Sequence, residues 1–176
     1  MGKPIDRNEV RQLYERQSRG LLAYACSFTA SFAAAEDALH QVFERLLRGD
    51  IEITGSAESY LYRAIRNTSL NQIRGRSRET ELDDDISSRW FDSPPGLEQT
   101  ALELQSSLRD LPEEQREVVL MHIWGGMTFE EISVALGTSP NTAASRYRYG
   151  LSKLREQFQS PAPPVGVRRA YGRRFQ

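Results

Sequence analysis

The sequence predicts an all-α fold of two small helical units joined by a flexible acidic linker, and three observations support it. Apolar residues recur at helical spacing, whereas we find no stretch that alternates apolar and polar residues with β-branched enrichment. The periodicity is lost between about Arg78 and Pro95, where the segment is acidic and ends in Ser-Pro-Pro. The 176 residues, 39% hydrophobic and 27% charged, are enough for one domain or two small ones.

Changes in composition divide the chain into four segments. We expect a first helical unit, an acidic linker, a second helical unit, and a tail rich in proline and arginine that we expect to be disordered. In order, they cover residues 6–78, 79–98, 99–158 and 159–176. The linker contrasts with residues 60–78, which hold five arginines and no carboxylate. Such segregated blocks of charge are unusual for a surface that only contacts solvent.

The composition also excludes several classes of protein. No apolar run reaches the ~20 residues that a membrane span needs, so we expect no membrane insertion. The first residues, MGKPID, lack the apolar core of a signal peptide, and the expected location is the cytoplasm. The single cysteine, Cys26, excludes an internal disulfide, and His40 and His122 are too few for a zinc cluster. We therefore expect no metal and no cofactor.

An amphipathic helix is predicted at residues 38–48. Glu36 and Asp37 favour its positive N-terminal end, and Gly49 with Asp50 ends it. Its apolar stripe consists of Ala38, Leu39, Val42, Phe43, Leu46 and Leu47. The opposite face carries His40, Gln41, Glu44, Arg45 and Arg48. That face is either solvated or binds a partner, and the pattern alone leaves both interpretations open.

A second helix, predicted at residues 58–76 after an exposed loop at 49–59, gives a stronger indication of function. Its buried side consists of Leu61, Ala64, Ile65 and Thr68. Elsewhere it carries groups that can hydrogen-bond to bases or stack on them, namely Tyr60, Tyr62, Arg63, Asn67, Asn71 and Arg74. Both nucleic-acid binding and simple solvation are consistent with these side chains.

The second unit contains the sharpest local pattern, which is a helix, a three-residue turn and another helix. Thr128 and Glu131 can form a capping box that starts the first helix, and Gly137 suits the left-handed position that ends it. Ser139 can cap the second helix, with Pro140 at its first position. This pattern is typical of a helix-turn-helix.

The second helix of this motif has one apolar and one polar side. The apolar side consists of Ala143, Tyr147, Gly150, Leu151 and Leu154. The polar side and its flanks carry Asn141, Thr142, Ser145, Arg146, Arg148, Tyr149, Ser152 and Lys153. No acidic residue occurs from Pro140 to Arg155, and short polar side chains with cations suit a helix in the major groove. An ordinary helical hairpin with a polar face is the alternative.

With both units in view, the chain resembles a bacterial RNA polymerase sigma factor of the extracytoplasmic-function (ECF) type, which keeps only regions 2 and 4. The likeness to region 2 lies in Leu13-Tyr14-Glu15-Arg16, in Ala35-Glu36-Asp37-Ala38 leading into Val42-Phe43-Glu44-Arg45-Leu46, and in residues 62–74. The likeness to region 4 lies in Leu111-Pro112-Glu113-Glu114-Gln115-Arg116-Glu117-Val118, in residues 128–132 and in residues 142–155. Each fragment is weak alone, but their order and spacing are specific.

The resemblance implies a dissociable polymerase subunit that recognises promoters and helps to open them by binding, not as an enzyme. Docking on the clamp helices of the largest subunit would use His40, Gln41, Glu44, Arg45 and Arg48, and the flap region would be a second contact. The opened minus-ten strand would be held by Tyr62, Arg63, Arg66, Asn67, Asn71 and Arg74. The minus-thirty-five element would be read by Asn141, Thr142, Ser145, Arg146, Arg148, Tyr149 and Lys153. The implied partners are core RNA polymerase and promoter DNA, and whether an anti-sigma factor also binds stays open.

The acidic linker allows two interpretations. It resembles the segment that threads past the polymerase active centre, where carboxylates can occupy a cationic channel, and it is equally consistent with a plain tether. In the free chain its carboxylates lie next in sequence to the arginine-rich helix. We therefore expect them to oppose the approach of DNA until the chain binds polymerase.

Two other functions compete with this interpretation. One is a dimeric regulator whose helix-turn-helix binds an operator without polymerase. The other is a carboxylate-bridged metal enzyme on a helical bundle, because Asp37 and His40 have the i, i+3 spacing of such sites. That enzyme needs a second motif, and the other histidine, His122, has no carboxylate three or four residues before it.

Overall fold

The computed structural model describes residues 3–29, 31–49, 51–76, 90 and 95–159. Helices dominate these residues, and the predicted all-α class is confirmed. The helices are α1 (Arg7–Thr29), α2 (Phe32–Arg48), α3 (Ala57–Arg76), α4 (Glu98–Arg109), α5 (Glu113–Ile123), α6 (Phe129–Leu136) and α7 (Pro140–Gln159).

Two short strands accompany the helices. β1 (Lys3–Pro4) pairs antiparallel with β2 (Glu52–Ile53), and Lys3 lies opposite Ile53. β2 falls in the segment 49–59, which the sequence predicts to be an exposed loop. Ile51 and Ile53 are half-buried on either side of Glu52, so the period of two is present there. A pattern of three residues is too short to distinguish a strand from a loop.

Helix α2 begins earlier than predicted. Ser31 has extended backbone, and its side chain accepts a hydrogen bond from the amide of Ala34 at 3.4 Å, which caps the helix. Glu36 and Asp37 therefore lie in the second turn, and the prediction that they mark the N-terminus is wrong. The helix ends as predicted, because Gly49 has a left-handed φ of 74°.

The helix-turn-helix is confirmed in its local geometry. The Thr128 side chain accepts from the Glu131 amide at 3.2 Å, and the Glu131 carboxylate accepts from the Thr128 amide at 2.9 Å. Gly137, with a φ of 63°, ends α6. Ser139 accepts from the amide of Thr142 at 3.0 Å, so α7 is capped and three residues separate the two helices.

An aromatic cluster fixes α7 against α5 and α6. The His122 ring stacks on Phe129 with centroids 4.7 Å apart and meets the edge of Tyr147 at 4.6 Å. Its Nδ1 lies 2.7 Å from the carbonyl oxygen of Met127, so Nδ1 carries a proton and donates. These contacts give His122 a packing role that holds the helix-turn-helix together.

The two helical units pack directly against each other and share one hydrophobic core. Helices α1 and α3 of the first unit contact α5 and α6 of the second. Ser59 on α3 donates a hydrogen bond to the backbone carbonyl of Glu131 on α6 at 3.1 Å. The sequence predicts units joined by a linker, and the structure adds a direct interface between them.

Within the acidic linker, the structure describes Trp90 and residues 95–98, while residues 79–89 and 91–94 and the tail from 160 to 176 lie outside the described residues. Trp90 is only 3% exposed. Its backbone N–H donates to the Gln105 side-chain carbonyl at 2.9 Å, and the Arg109 guanidinium lies 5.2 Å from the ring centroid. Trp90 therefore anchors the linker to α4.

Candidate nucleic-acid interface

Helix α7 presents most of its predicted DNA-reading side chains to solvent. The exposed ones are Asn141, Thr142, Arg148, Tyr149 and Lys153, whereas Ser145 and Arg146 are partly buried. Tyr149 is 65% exposed, although it is a large aromatic residue. An exposed ring on a cationic helix face can pack on a sugar or a base methyl group.

Two hydrogen bonds position polar groups along the first half of α7. The Thr142 hydroxyl lies 2.8 Å from the Ser139 hydroxyl, and Arg148 donates to the Ser145 hydroxyl at 3.2 Å. The N-terminal part of a recognition helix is the part that contacts base edges. These four side chains therefore lie where such a helix needs hydrogen-bonding groups.

Arg146 lies in a different electrostatic environment from Arg148. Its guanidinium forms an ion pair of 3.0 Å with Glu114 at the start of α5. Arg148 is exposed and bonds to a neutral hydroxyl. To bind Arg146, a phosphate has to displace the carboxylate of Glu114. To bind Arg148, it has to displace only the neutral hydroxyl of Ser145.

Helix α3 presents four of its predicted DNA-binding residues on its solvent side. They are Arg63, Asn67, Asn71 and Arg74, all exposed. Their spacing of four, four and three residues places them along one face. Cations and amides arranged this way can follow the backbone of a single strand and bond to its bases.

Arg66 is directed away from that exposed face and towards the second unit. Its Nε lies 2.6 Å from Glu117 Oε1, and its Nη2 lies 3.6 Å from Glu113. Desolvation lowers the pKa of this guanidinium, but the hydrogen bond and charge of Glu117, together with the smaller effects of Tyr24 and Glu113, outweigh it and the pKa is raised. Arg66 is therefore held by α5.

Tyr62 lies in the core, with an exposure of 0%. Its ring packs edge-on against Tyr24 with centroids 5.0 Å apart, and desolvation raises its pKa. A ring in this position cannot stack on a base while the two units are packed together. The prediction that Tyr62 contacts DNA does not hold for this conformation, because positions 62, 65 and 69 share the buried side of α3.

A groove of about 450 Å³ lies where α3, α5, α6 and α7 meet. Three predicted minus-ten residues (Arg63, Arg66 and Asn67) and one predicted minus-thirty-five residue (Arg146) line the groove. The carboxylates of Glu114 and Glu117 line it as well. The structure thus brings part of each predicted DNA-binding set to one place. The acidic groups between them are the ones that hold Arg66 and Arg146.

The predicted polymerase-binding face of α2 is fully accessible. His40, Gln41, Glu44, Arg45 and Arg48 are all exposed. Arg48 forms an ion pair with Glu44 one turn away at 2.5 Å. Leu47, assigned to the apolar stripe from sequence, is instead 50% exposed beside this face. The exposed surface of α2 therefore combines polar groups with one large apolar side chain.

The groups at the boundary between the units were not predicted from the sequence. Glu117 is 3% exposed, and it accepts from the Tyr24 hydroxyl at 3.0 Å as well as from Arg66. Desolvation raises the pKa of Glu117 in spite of the lowering by Arg66 and Tyr24. A carboxylate on a run of charged residues gives no sequence signal for burial, because its partners lie 51 and 93 residues away.

Comparison with known families decides which fold family these helices belong to. Residues 13–79 match the model described as "Sigma-70 region 2", and residues 101–154 match the model described as "Sigma-70, region 4". The chain belongs to the sigma-70 family. Members of this family bind core RNA polymerase and promoter DNA, and they are regulators without catalytic activity.

Several ECF sigma factors are similar to the chain. It is 28% identical over 140 residues to EcfG of Rhodopseudomonas palustris, covering 76% of each protein. It is 33% identical over 156 residues to SigE of Mycolicibacterium smegmatis, covering 84% of this chain but 59% of that protein. The sequence-based assignment to the ECF type is confirmed.

A solved structure shares the fold. The sigma factor RpoE of Bartonella quintana, crystallised in complex with the anti-sigma factor NepR, superimposes with a TM-score of 0.66. The match covers 89% of this chain and 100% of RpoE at 20% sequence identity.

In the part of our structure that is described, no helix is long and apolar enough to cross a membrane.

Proposed function

We propose that this sigma factor binds core RNA polymerase through α2 and directs it to promoters through α3 and α7. The observation that carries the proposal is the capped helix-turn-helix, whose α7 has no carboxylate from Pro140 to Arg155, in the same chain as a region 2 unit. The unit boundaries 6–78 and 99–158, with the linker 79–98 and the tail 159–176, are part of the proposal. In this proposal the chain acts in the cytoplasm, binds no cofactor and catalyses no reaction itself.

Contact with polymerase is assigned to the exposed α2 face. His40, Gln41, Glu44, Arg45 and Arg48 can form charge-assisted hydrogen bonds with a helical partner, and Leu47 adds apolar area next to them. The partner surface consists of the clamp helices of the largest subunit, and region 4 contacts the flap region. The accessibility of this face supports the assignment.

Contact with the minus-ten strand is assigned to Arg63, Arg66, Asn67, Asn71 and Arg74. Arginine and asparagine side chains that bind bases only after they leave the duplex favour the melted state, because a ligand shifts an equilibrium by its difference in affinity. Tyr62 is assigned a supporting role, since its buried ring positions α3 against α1.

Contact with the minus-thirty-five element is assigned to Asn141, Thr142, Ser145, Arg146, Arg148, Tyr149 and Lys153. The hydrogen-bonded side chains near the start of α7 read base edges, and the cations hold phosphates. A direct contact of this kind contributes about 1–3 kcal/mol of discrimination for each base that is read.

The test compares promoter binding by the isolated chain with binding by the chain reconstituted on core polymerase. We expect tight, specific binding only with polymerase, and co-purification of the polymerase large subunits with the tagged chain. Tight specific binding by the chain alone, together with a dimer mass in gel filtration, would instead identify an operator-binding regulator.

A further inference from the structure

The interface between the units occupies one arginine that the proposed function assigns to DNA, and an ion pair within the second unit occupies another. Arg66 of the minus-ten set is bound by Glu117, and Arg146 of the minus-thirty-five set is bound by Glu114. Both carboxylates lie on α5, three residues apart, which corresponds to about 4.5 Å along the helix axis. One short acidic segment therefore binds both arginines.

This arrangement cannot be the one that contacts a promoter. Elements centred near positions minus ten and minus thirty-five are about 25 base pairs apart, or about 85 Å of duplex at 3.4 Å per base pair. Arg66 and Arg146 reach carboxylates within one turn of the same helix. The two helices that carry them have to separate before both elements can be bound at once.

The packing at the interface is close enough to exclude one methyl group. A Cβ atom added to Gly20 on α1 would lie 2.8 Å from the Tyr62 hydroxyl and 2.9 Å from the backbone oxygen of Trp124, which follows α5. Backbone cannot move aside as a flexible side chain can. Gly20 is thus a point where the first unit touches the second with no spare room.

We propose that α5 is an internal DNA mimic: Glu117 holds Arg66 across the interface in the free chain, and the promoter takes this arginine only after the units separate. Glu114 holds Arg146 within the second unit until a phosphate displaces the carboxylate. The inference rests on the proposed function. Carboxylates and phosphates both accept the planar fork of a guanidinium, so one partner can replace the other. The masking groups are carboxylates of α5 rather than those of the linker, on which the sequence-based masking hypothesis depends.

The reversibility of the contact follows from its environment. Glu117 is almost completely buried and carries a desolvation penalty, which its bonds to Arg66 and Tyr24 offset only in part. Arg66 remains about one third exposed, so it loses less hydration on closing. A buried carboxylate with this penalty gains hydration when the units open, which lowers the cost of opening.

Two variants of the full-length chain test the proposal, each with a matched control. Gly20→Ala inserts a methyl group between the units while raising the helix propensity of α1, and Gly75→Ala makes the same change on α3 where nothing lies within 4 Å. Glu117→Gln removes the buried negative charge, and Glu103→Gln removes an exposed one on α4. Far-UV circular dichroism establishes that each variant is folded.

The first readout is small-angle X-ray scattering of the free chain. A compact chain of this length has a radius of gyration of about 16 Å, and a further separation of about 15 Å between two bodies would raise it to about 21 Å. We expect an increase of this order for Gly20→Ala and no change for Gly75→Ala. Wild-type scattering from folded Gly20→Ala would overturn the closed arrangement.

The second readout is binding to a mixed-sequence duplex of about 30 base pairs at 0.1 M salt. One additional phosphate contact at this salt concentration tightens binding about eightfold and steepens the salt dependence by about one. Glu117→Gln should gain this factor over Glu103→Gln. Equal affinities for these two variants would overturn the masking role of Glu117, whether or not Gly20→Ala is folded.

These outcomes are independent of the proposed function. If the proposed function is wrong, wild-type protein fails to bind core polymerase, and the scattering and duplex measurements are unaffected. If the masking is wrong, polymerase binding by the wild type is normal while the variants match their controls.

Discussion

Replacing Trp90 with alanine should lower the free energy of unfolding of the chain by about 3 kcal/mol. Trp90 is the one described residue between 77 and 94, and its side chain is 3% exposed. A buried tryptophan removes about 150–250 Å² from water, which is worth about 4–6 kcal/mol at 25 cal/mol per Å². The alanine variant regains about 1 kcal/mol of side-chain entropy and keeps the burial of its methyl group, which leaves a net loss of about 3 kcal/mol, within the usual range for a buried Trp→Ala change.

The assay is urea denaturation followed by far-UV circular dichroism. With a slope of about 2 kcal/mol per molar urea, the midpoint of Trp90→Ala should fall by about 1.5 M. Leu97→Ala is the control, because Leu97 precedes α4 and is 52% exposed, and its effect should stay within about 0.5 kcal/mol. A Trp90→Ala midpoint equal to that of the control would refute the docking of the linker on α4.

Four further results are expected. Contacts with Thr128 lower the pKa of Glu131 below 4.5 in the folded state. The stability that Glu131 contributes is therefore present above pH 4.5 and is lost as the pH falls further. The difference in unfolding midpoint between wild type and Glu131→Gln should shrink from pH 7 to pH 3. In the reconstituted polymerase, Arg148→Ala should reduce the salt slope of promoter binding by about one if it binds a phosphate, and unchanged affinity would remove it from the DNA. Arg63→Ala with Asn67→Ala should leave duplex binding intact and reduce the permanganate reactivity of promoter thymines, and normal opening would contradict this. Deleting residues 159–176 should leave promoter-dependent transcription unchanged in a minimal system, whereas a loss restored at low salt would assign DNA affinity to its arginines.

Local signals in the sequence were sufficient for the helix-turn-helix. A capping box, a glycine after the last helical turn and a proline at the start of the next helix each act within four residues, so they can be recognised without the rest of the chain. The structure confirms this local geometry at Thr128, Gly137 and Ser139. The start of α2 was predicted incorrectly because its local signal is ambiguous. Ser31 follows a stretch rich in serine and alanine, in which several residues are equally plausible caps.

The interface between the units could not be predicted in this way. Glu117 is paired with Tyr24 and Arg66, which are distant in sequence, and its neighbours in sequence are charged residues that favour an exposed position. Tyr62 was assigned to DNA because a tyrosine beside arginines is typical of base stacking, but its register on α3 places it in the core. Periodicity identifies a buried face without identifying what buries it.

The pairing of DNA-binding arginines with acidic residues also affects the free energy that binding to polymerase has to supply to open the chain. In a chain without internal partners, opening would expose apolar surface with no compensation, and binding to polymerase would have to supply all of that free energy. Here the contacts broken on opening include the guanidinium of Arg66 bonded to Glu117, and DNA binding further breaks the Arg146–Glu114 pair within the second unit. Each guanidinium meets a phosphate in the assigned complex, so the ionic contacts are exchanged rather than lost. Docking of α2 on polymerase then has to offset mainly the apolar contacts around Tyr24 and Tyr62, and that smaller free energy is within reach of one helix face.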